Sequence, residues 1–253
     1  MVSAVGTDAL GDRALKALAD RQVHCEFVAR DAQRATGQVH VTLNSEGVAQ
    51  YEIALDAAWD HVAWTGELAT LARRCDAVCF GSLGQRSPTA RATIRRFVEA
   101  VPRGSLRVFD VNLRQHFYDH ETVDASMCFA SAVKLNDEEL PVIAELCGIE
   151  SRATRDMLRE LMARYDLRLA ALTRGPRGAL LLDDRGEDDC ATPALAAADT
   201  VGAGDAFTAA LVSGFLRGLP LALINRHANT VASFVCSRAG ATPPLPEYLR
   251  TFA

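Results

Sequence analysis

Residues 199–207 (Asp-Thr-Val-Gly-Ala-Gly-Asp-Ala-Phe) have the composition of an anion-binding loop with a carboxylate beside it. The small residues Gly202, Ala203 and Gly204 let the backbone approach a ligand closely. The apolar run that follows predicts a helix, whose first N–H groups are unpaired and carry positive dipole character. Asp205 lies where a carboxylate can take a proton from a substrate hydroxyl, so the pattern favours phosphoryl transfer. The alternative is that Asp205 only caps the helix and the glycines serve tight packing.

Two familiar phosphate-binding motifs are excluded by the sequence. A Walker A loop, G-x-x-x-x-G-K-[ST], is absent, and the glycines at 202 and 204 do not continue as the G-x-G-x-x-G of a dinucleotide fingerprint. The phosphoryl chemistry predicted here therefore needs another scaffold.

Asn136 and Glu139 stand three residues apart where a predicted strand enters a helix, so their side chains share one face. An amide and a carboxylate at a strand end suit magnesium-bound water and phosphate oxygens. The alternative is a capping arrangement, with Asn136 as the N-cap and Glu139 reaching back.

Two further strand ends carry polar residues. Asp110, Asn112 and Arg114 end a buried strand and are predicted to face the same cleft, where Arg114 can clamp phosphate or sugar oxygens. The alternative is a surface arginine, with Asp110 capping a turn. Residues 173–178 (Thr-Arg-Gly-Pro-Arg-Gly) follow another strand, and an ordinary Gly-Pro turn between two strands is equally compatible with them.

Residues 199–212, DTVGAGDAFTAALV, resemble the C-terminal motif of the ribokinase-like (PfkB) carbohydrate kinases position for position. Further motifs follow in the family's order, so the resemblance covers essentially the whole chain. It implies that Asp205 is the catalytic base and also contacts the substrate. It also implies that the backbone of Gly202, Ala203 and Gly204 forms the anion hole.

The resemblance assigns roles to the other motifs as well. The N-x-x-E element implies a nucleotide contact for Asn136 and a contact to magnesium-bound water for Glu139. The T-x-G-x-x-G element implies contacts to the ATP phosphates. Asn229 lies in residues 229–242, which resemble the helix and loop that line the adenine pocket; a surface-helix position is the alternative for it. That loop often holds a monovalent cation such as K⁺ together with the residue matching Asp199. The T-x-G-x-x-G positions are Thr173, Gly175 and Gly178.

Residues 110–114, DVNLR, resemble the D-x-N-x-R of fructokinase-like and 2-keto-3-deoxygluconate kinase-like members, and residues 81–86, GSLGQR, also resemble the fructokinase-like branch. The match implies that Asp110, Asn112 and Arg114 bind substrate. The resemblance implies an ATP- and Mg²⁺-dependent kinase acting on a primary hydroxyl of a small, fructose-like sugar. A nucleoside kinase or a 2-keto-3-deoxygluconate kinase is the alternative within the enzyme class.

Three features that open most family members are not found in this sequence: a first strand with a substrate-binding aspartate, a pair of lid strands, and a Gly-Gly-x-x-x-Asn helix start. The sequence resembles the family from just after them. From this sequence we expect an intact phosphoryl-transfer half and a sugar pocket that lacks one wall. A catalytically silent nucleotide- or sugar-binding homologue is the competing hypothesis.

Strands and helices that alternate must position these motifs. Short apolar runs predict parallel strands buried on both faces, and amphipathic stretches between them predict helices. This alternation predicts an α/β fold, a mostly parallel central sheet flanked by helices on both faces, and ligands gather at the carboxyl ends of such strands. The predicted strands are 78–82, 106–111, 132–136 and 168–173, and the predicted helices are 87–100, 137–147, 154–165, 203–217 and 221–236.

Residues 37–53 break this pattern, because they alternate with period two around a turn at 44–47 and predict an antiparallel hairpin. Either it is an edge hairpin of the main sheet or it is a lid over the strand ends. A lid of this kind can also pair with a second copy, giving a homodimer. We expect residues 1–253 to form a single ribokinase-like domain, with the lid hairpin at about 36–53.

The composition limits the partners. The net charge of −5 disfavours nucleic acid, and no apolar run is long and uncharged enough to predict a membrane span. No secretory signal is visible at the first residues. The seven cysteines form no C-x-x-C pattern, so we expect them to be reduced and mostly buried and the protein to be cytoplasmic.

Overall fold

The computed structural model describes residues 1–43, 49–193 and 198–252. The chain divides into two compact units. Unit 1 comprises Met1–Arg73 and Gly84–Ala100, and unit 2 comprises Arg74–Leu83 and Val101–Ala253. That both belong to one domain stays a prediction.

In its described residues, unit 1 holds two small sheets and three α-helices. β1 and β2 pair in parallel, and β3 and β4 pair antiparallel. The elements are β1 (Val2–Gly6), α1 (Ala9–Asp20), β2 (Phe27–Asp31), β3 (Val39–Leu43), β4 (Ala49–Ile53), α2 (Gly66–Ala72) and α3 (Pro88–Ala100).

The predicted hairpin is present as β3 and β4, while its predicted turn lies outside the described residues. Within the described chain the two strands form a sheet of their own. The interpretation as an edge hairpin of the main sheet is therefore wrong. Its role as a lid or as a dimer contact stays a prediction.

Asp8 fixes the start of α1 in unit 1. One carboxylate oxygen accepts the backbone N–H of Gly11 at 2.8 Å and the Thr36 hydroxyl at 2.7 Å, and the other accepts the backbone N–H of Thr36 at 2.8 Å. These bonds favour the ionised form, with those to Thr36 foremost, and lower the pKa of Asp8 to about 2.

The end of the 81–86 motif also belongs to unit 1. The Arg86 side chain forms an ion pair with Asp60 at 2.6 Å, with both groups buried, and lies 4.1 Å above the Trp59 ring. Arg86 also donates to the carbonyl of Ala54, just after β4, at 2.6 Å. These contacts tie the base of the hairpin to the segment before α3.

Unit 2 is built on a six-stranded sheet in the order β10-β9-β8-β7-β6-β5. β5 to β8 are parallel, and β9 and β10 are antiparallel to their neighbours, which confirms the predicted mostly parallel sheet. The sequence did not predict β10. The strands are β5 (Ala77–Phe80), β6 (Leu106–Asp110), β7 (Ala132–Asn136), β8 (Leu169–Thr173), β9 (Ala179–Asp183) and β10 (Glu187–Cys190).

Helices cover both faces of this sheet, and the strand side chains alternate between two apolar cores. Along β7, Val133 and Leu135 enter the core with α4, α5 and α6, while Ala132 enters the core with α7 and α8. Lys134 points to the α7 side by the same alternation. The helices are α4 (His120–Phe129), α5 (Glu139–Leu146), α6 (Thr154–Tyr165), α7 (Ala203–Leu216) and α8 (Leu221–Cys236).

The cysteines are all free thiols, but the expectation that most are buried is wrong. Only Cys147 is buried, Cys79 and Cys128 are exposed, and the other four are half-buried. Among the described residues, no helix has both the length and the apolar character needed to cross a membrane.

Candidate active site

The first turn of α7 carries the residues that the sequence singled out most strongly. Gly202 precedes the helix in a left-handed conformation (φ 83°) and turns the chain into it. The backbone N–H of Ala203 reaches the carbonyl of Thr200 only at 3.4 Å. Within the described chain, the N–H groups of Gly202, Gly204 and Asp205 have no acceptor. The positive end of the helix therefore presents free donors, as an anion site requires.

The glycine at 202 is required by its surroundings as well as by its φ. A Cβ there would lie 2.2 Å from the carbonyl oxygen of Ala241, so the loop before α7 packs directly on the backbone after α8. Asp199 strengthens the same contact: its carboxylate accepts from the N–H of Val201 at 3.0 Å and of Gly240 at 3.1 Å. These backbone bonds lower the pKa of Asp199.

Asp205 stands in the first turn of α7 and its side chain is exposed. In the part of the chain that the structure describes, its carboxylate accepts no hydrogen bond and pairs with no basic side chain. The helix-cap alternative therefore finds no support in the geometry. The carboxylate is free to accept a proton from a ligand.

A buried polar group is formed by Asp110 at the end of β6, Lys134 in the middle of β7 and Thr208 on α7. The Lys134 Nζ lies 3.0 Å from one Asp110 oxygen, and the Thr208 hydroxyl donates to the other at 2.8 Å. Asp110 is only 8% exposed. Each oxygen has one protein partner and keeps a further lone pair, so the contact of Asp110 with a sugar stays a prediction.

The loop after β6 leaves the strand in an unusual conformation. Asn112 has a left-handed backbone (φ 43°), which asparagine tolerates better than most residues. The Ser82 hydroxyl donates to the Val111 carbonyl at 2.8 Å, and the N–H of Leu113 donates to Glu139 at 2.9 Å. Arg114 is exposed, and its guanidinium bonds only the Leu113 carbonyl, at 2.9 Å, within the described residues. Most N–H donors of the Arg114 guanidinium therefore have no acceptor among the described residues, as the predicted contact with phosphate or sugar oxygens requires.

Asn136 and Glu139 adopt the capping arrangement that the sequence offered as the alternative. Asn136 Oδ1 accepts from the backbone N–H of Glu138 and Glu139, and one Glu139 oxygen accepts from the N–H of Asn136 at 2.9 Å. The other Glu139 oxygen accepts from Leu113, and the residue is 6% exposed. Each oxygen keeps one lone pair for a further donor such as a metal-bound water.

The loop at 173–178 leaves β8 as a tight turn. Gly175 and Gly178 both have positive φ, 55° and 85°, and a Cβ at Gly178 would overlap the carbonyl oxygen of Cys190 at 1.9 Å. Only glycine fits at Gly178. The two arginines of the loop are neutralised locally, since Arg174 pairs with Asp189 and Arg177 with Asp137.

Asn229 is not on the helix surface: it is 4% exposed. Its amide donates to Asn225, and its Oδ1 accepts from the Thr192 hydroxyl at 3.3 Å. The same hydroxyl also lies 2.9 Å from the carbonyl of Gly175, so Asn229 supports the 173–178 loop from behind.

Sequence reasoning gave no role to Lys134, Thr208 or Asn225. Asn225 is fully buried and donates to the backbone of Ala179 and Asp188 at 3.0 Å, which joins α8 to β9 and β10. One signal was available: a lysine inside the otherwise apolar run 132–135 has to be paired when that strand is buried.

Comparison with known proteins decides the family. The model of the pfkB family carbohydrate kinases matches residues 1–248. The chain belongs to the pfkB family of carbohydrate kinases. It is 29% identical over 269 residues to a sugar kinase from Pyrococcus horikoshii, covering 99% of this chain and 79% of that protein. The structure of that kinase, described as uncharacterized and solved with ATP, superposes with a TM-score of 0.78 at 28% identity, covering 95% of this chain and 77% of the other.

Two further pfkB relatives have more specific names. A fructokinase from Klebsiella pneumoniae is 29% identical over 259 residues, 97% of this chain and 82% of that protein. An aminoimidazole riboside kinase from Salmonella typhimurium is 27% identical over 268 residues, 99% of this chain and 81% of that protein. As a pfkB carbohydrate kinase, the chain is a phosphotransferase with the ribokinase-like α/β fold that the sequence predicted.

Proposed function

We propose that this pfkB kinase transfers the γ-phosphoryl group of ATP to a primary hydroxyl of a small, fructose-like sugar. The observation that carries the proposal is the first turn of α7, where the N–H groups of Gly204 and Asp205 and the exposed Asp205 carboxylate have no partner among the described residues. The fructokinase from Klebsiella pneumoniae supports the choice of sugar.

In the proposed step, Asp205 accepts the proton of the sugar hydroxyl as its oxygen forms a bond to the γ-phosphorus. The bond from that phosphorus to the β–γ bridging oxygen breaks, and ADP leaves. The amides of Gly202, Gly204 and Asp205, at the positive end of α7, face the negative charge on the phosphoryl oxygens. Arg114 supplies a second positive group, since its guanidinium is exposed and has one described acceptor.

The 173–178 loop fits ATP phosphates through its backbone and the Thr173 hydroxyl. Its arginines are less suited to this, because Arg174 and Arg177 are already paired with carboxylates. Asn229 supports the loop from the buried side.

The Glu139 carboxylate fits magnesium only through water. Its two oxygens accept backbone N–H groups, which leaves one lone pair on each. When bound, Mg²⁺ would neutralise phosphate charge. Asn136 Oδ1, which accepts two backbone N–H groups, holds Glu139 in place rather than offering a free ligand. The Asp199 carboxylate accepts backbone N–H groups in the same way, and K⁺ binding beside it stays a prediction.

ADP release over a panel of fructose, ribose, 2-keto-3-deoxygluconate, inosine and aminoimidazole riboside tests the proposal, with the phosphorylated product identified by mass spectrometry. We expect fructose to give the highest kcat/KM. Preference for aminoimidazole riboside would favour a riboside kinase instead, as the relative from Salmonella typhimurium suggests. ATP binding without turnover on any of these would support the silent homologue.

A further inference from the structure

A buried polar chain runs from the sheet of unit 2 to the first turn of α7. Lys134 on β7 pairs with Asp110 on β6 at 3.0 Å, and Asp110 accepts from the Thr208 hydroxyl on α7 at 2.8 Å. The three residues are 7%, 8% and 5% exposed, respectively. These hydrogen bonds therefore connect β6 and β7 to α7, the helix that carries Asp205.

Thr208 and Lys134, the two ends of this buried polar chain, both lie close to Gly204. The Thr208 hydroxyl lies 3.0 Å from the Gly204 carbonyl, one turn earlier in the helix. A Cβ at Gly204 would lie 3.1 Å from the Lys134 Nζ, so the ammonium group occupies the space next to Gly204 where a side chain would begin. The Thr208 hydroxyl thus contacts the Gly204–Asp205 peptide unit, whose N–H is one of the free amides.

Stability does not account for a charged pair at this place. Around it the sheet face toward α7 is apolar, with Val108, Ala132 and Ala171 in the core. Burying two charges there costs desolvation energy, and apolar residues of similar size are often as stable or more so. The pair instead fixes the orientation of side chains. An ionic hydrogen bond from Lys134 orients the Asp110 carboxylate, and that carboxylate orients the Thr208 side chain.

We propose that Lys134, Asp110 and Thr208 are positioning residues that hold the first turn of α7 in the orientation in which its amides and Asp205 face the ligand. The effect of this positioning on catalysis rests on the proposed function. The proposal assigns Asp110 to the support of the anion hole instead of to the sugar.

The test replaces Thr208 by valine, which keeps the shape and removes the hydroxyl, and by serine, which keeps the hydroxyl. We expect Thr208→Val to lower kcat by about 10- to 100-fold, because a small misplacement of catalytic groups is costly. KM for ATP and for the sugar should change by less than about 3-fold, and Thr208→Ser should restore most of kcat. Amide hydrogen exchange at Ala206, whose N–H donates to the Gly202 carbonyl at 2.9 Å, should be faster in Thr208→Val.

Thr122→Val is the matched control. Thr122 is 2% exposed on α4, which packs in the other core of unit 2. This variant should leave kcat and the amide exchange of Ala206 unchanged. If Thr208→Val does not fold, as judged by thermal unfolding, Asp110→Asn replaces it, with the same expected fall in kcat at unchanged KM.

Three results would overturn the proposal: a native kcat in Thr208→Val, unchanged exchange in the first turn of α7, or a rise in KM for the sugar at constant kcat in Asp110→Asn. The last would return Asp110 to the sugar site. If the native protein phosphorylates no substrate of the panel, the proposed function fails. The exchange comparison then decides the positioning role alone.

Discussion

Asn136 and Glu139 cap each other: the Asn136 side chain accepts the backbone N–H of Glu139 at 2.8 Å, and the Glu139 carboxylate accepts the backbone N–H of Asn136 at 2.9 Å. The second Glu139 oxygen holds the N–H of Leu113 in the loop after β6. One buried carboxylate thus joins the start of α5 to the loop that carries Arg114. A role at magnesium-bound water would be added to this structural one.

Glu139→Gln should therefore lower both stability and activity. The amide nitrogen cannot accept a hydrogen bond, so a backbone N–H of Leu113 or Asn136 loses its acceptor in a buried place, at a cost of about 1–3 kcal/mol in the free energy of unfolding. Urea unfolding measures this cost, and kcat at several Mg²⁺ concentrations measures the second role. Glu138→Gln, at an exposed neighbour, is the control. Reduced stability with native kcat would leave Glu139 a purely structural residue.

Asp205→Asn should abolish most turnover while ATP still binds. The amide cannot take the proton of the hydroxyl, and the loss of a general base costs about 10²–10⁴ in rate. Calorimetric ATP affinity should stay within about 3-fold, because the backbone donors remain. Asp184→Asn, at a carboxylate that is 87% exposed, should behave like the native protein. Equal turnover in Asp205→Asn would remove Asp205 from the reaction.

The two glycines of the anion loop should tolerate alanine very differently. At Gly202 the new Cβ meets backbone, the Ala241 carbonyl at 2.2 Å, and the left-handed φ of 83° adds about 1–2 kcal/mol of strain. At Gly204 the Cβ meets the end of a flexible side chain, the Lys134 Nζ, at 3.1 Å. We expect Gly202→Ala to lose activity and much of its thermal stability, and Gly204→Ala to lose far less thermal stability, because only the ammonium end of Lys134 has to shift. Equal losses would mean that the two positions are under the same constraint.

Acid should weaken unit 1 through Asp8. The pKa of Asp8 in the folded chain is about 2, below its ordinary 3.8, so its bonds to Thr36 and Gly11 stabilise the fold above about pH 4. That contribution is lost as the pH falls from about 4 towards 2. Asp8→Asn should lower the urea midpoint at pH 7, and the difference from the native protein should shrink at pH 3. Asp20→Asn, at an exposed carboxylate of the same helix, should change the midpoint far less. A constant difference for Asp8→Asn at all pH values would contradict this.

The local sequence pattern was enough to predict the helices and strands whose apolar side chains are buried at regular intervals. The predicted bounds of β7, α6 and α8 agree with the structure because their apolar periodicity ends sharply at polar residues. β10 was missed because its sequence, Glu-Asp-Asp-Cys, is polar. It is a strand because its backbone pairs with β9 at the edge of the sheet, and its acidic side chains pair with Arg155, Arg159 and Arg174.

The sequence predicted those functional groups of the candidate site that lie together in one short segment. Residues 202–205, at the start of α7, contain both the amides and Asp205, so the composition of this segment indicated its geometry. Asp110 could not be understood in this way, because its partners lie 24 and 98 residues away in the chain. Asn229 was left open for the same reason: its burial depends on Thr192, 37 residues earlier.

The contact of Gly202 and Asp199 with residues 240–241 has a consequence for synthesis and folding. During translation the six strands and α7 emerge before Gly240 does, so the phosphate-facing turn gains its backbone support only at a late stage of elongation. A polypeptide terminated ahead of Gly240 would contain the sheet and Asp205 yet leave that turn without its backbone contact.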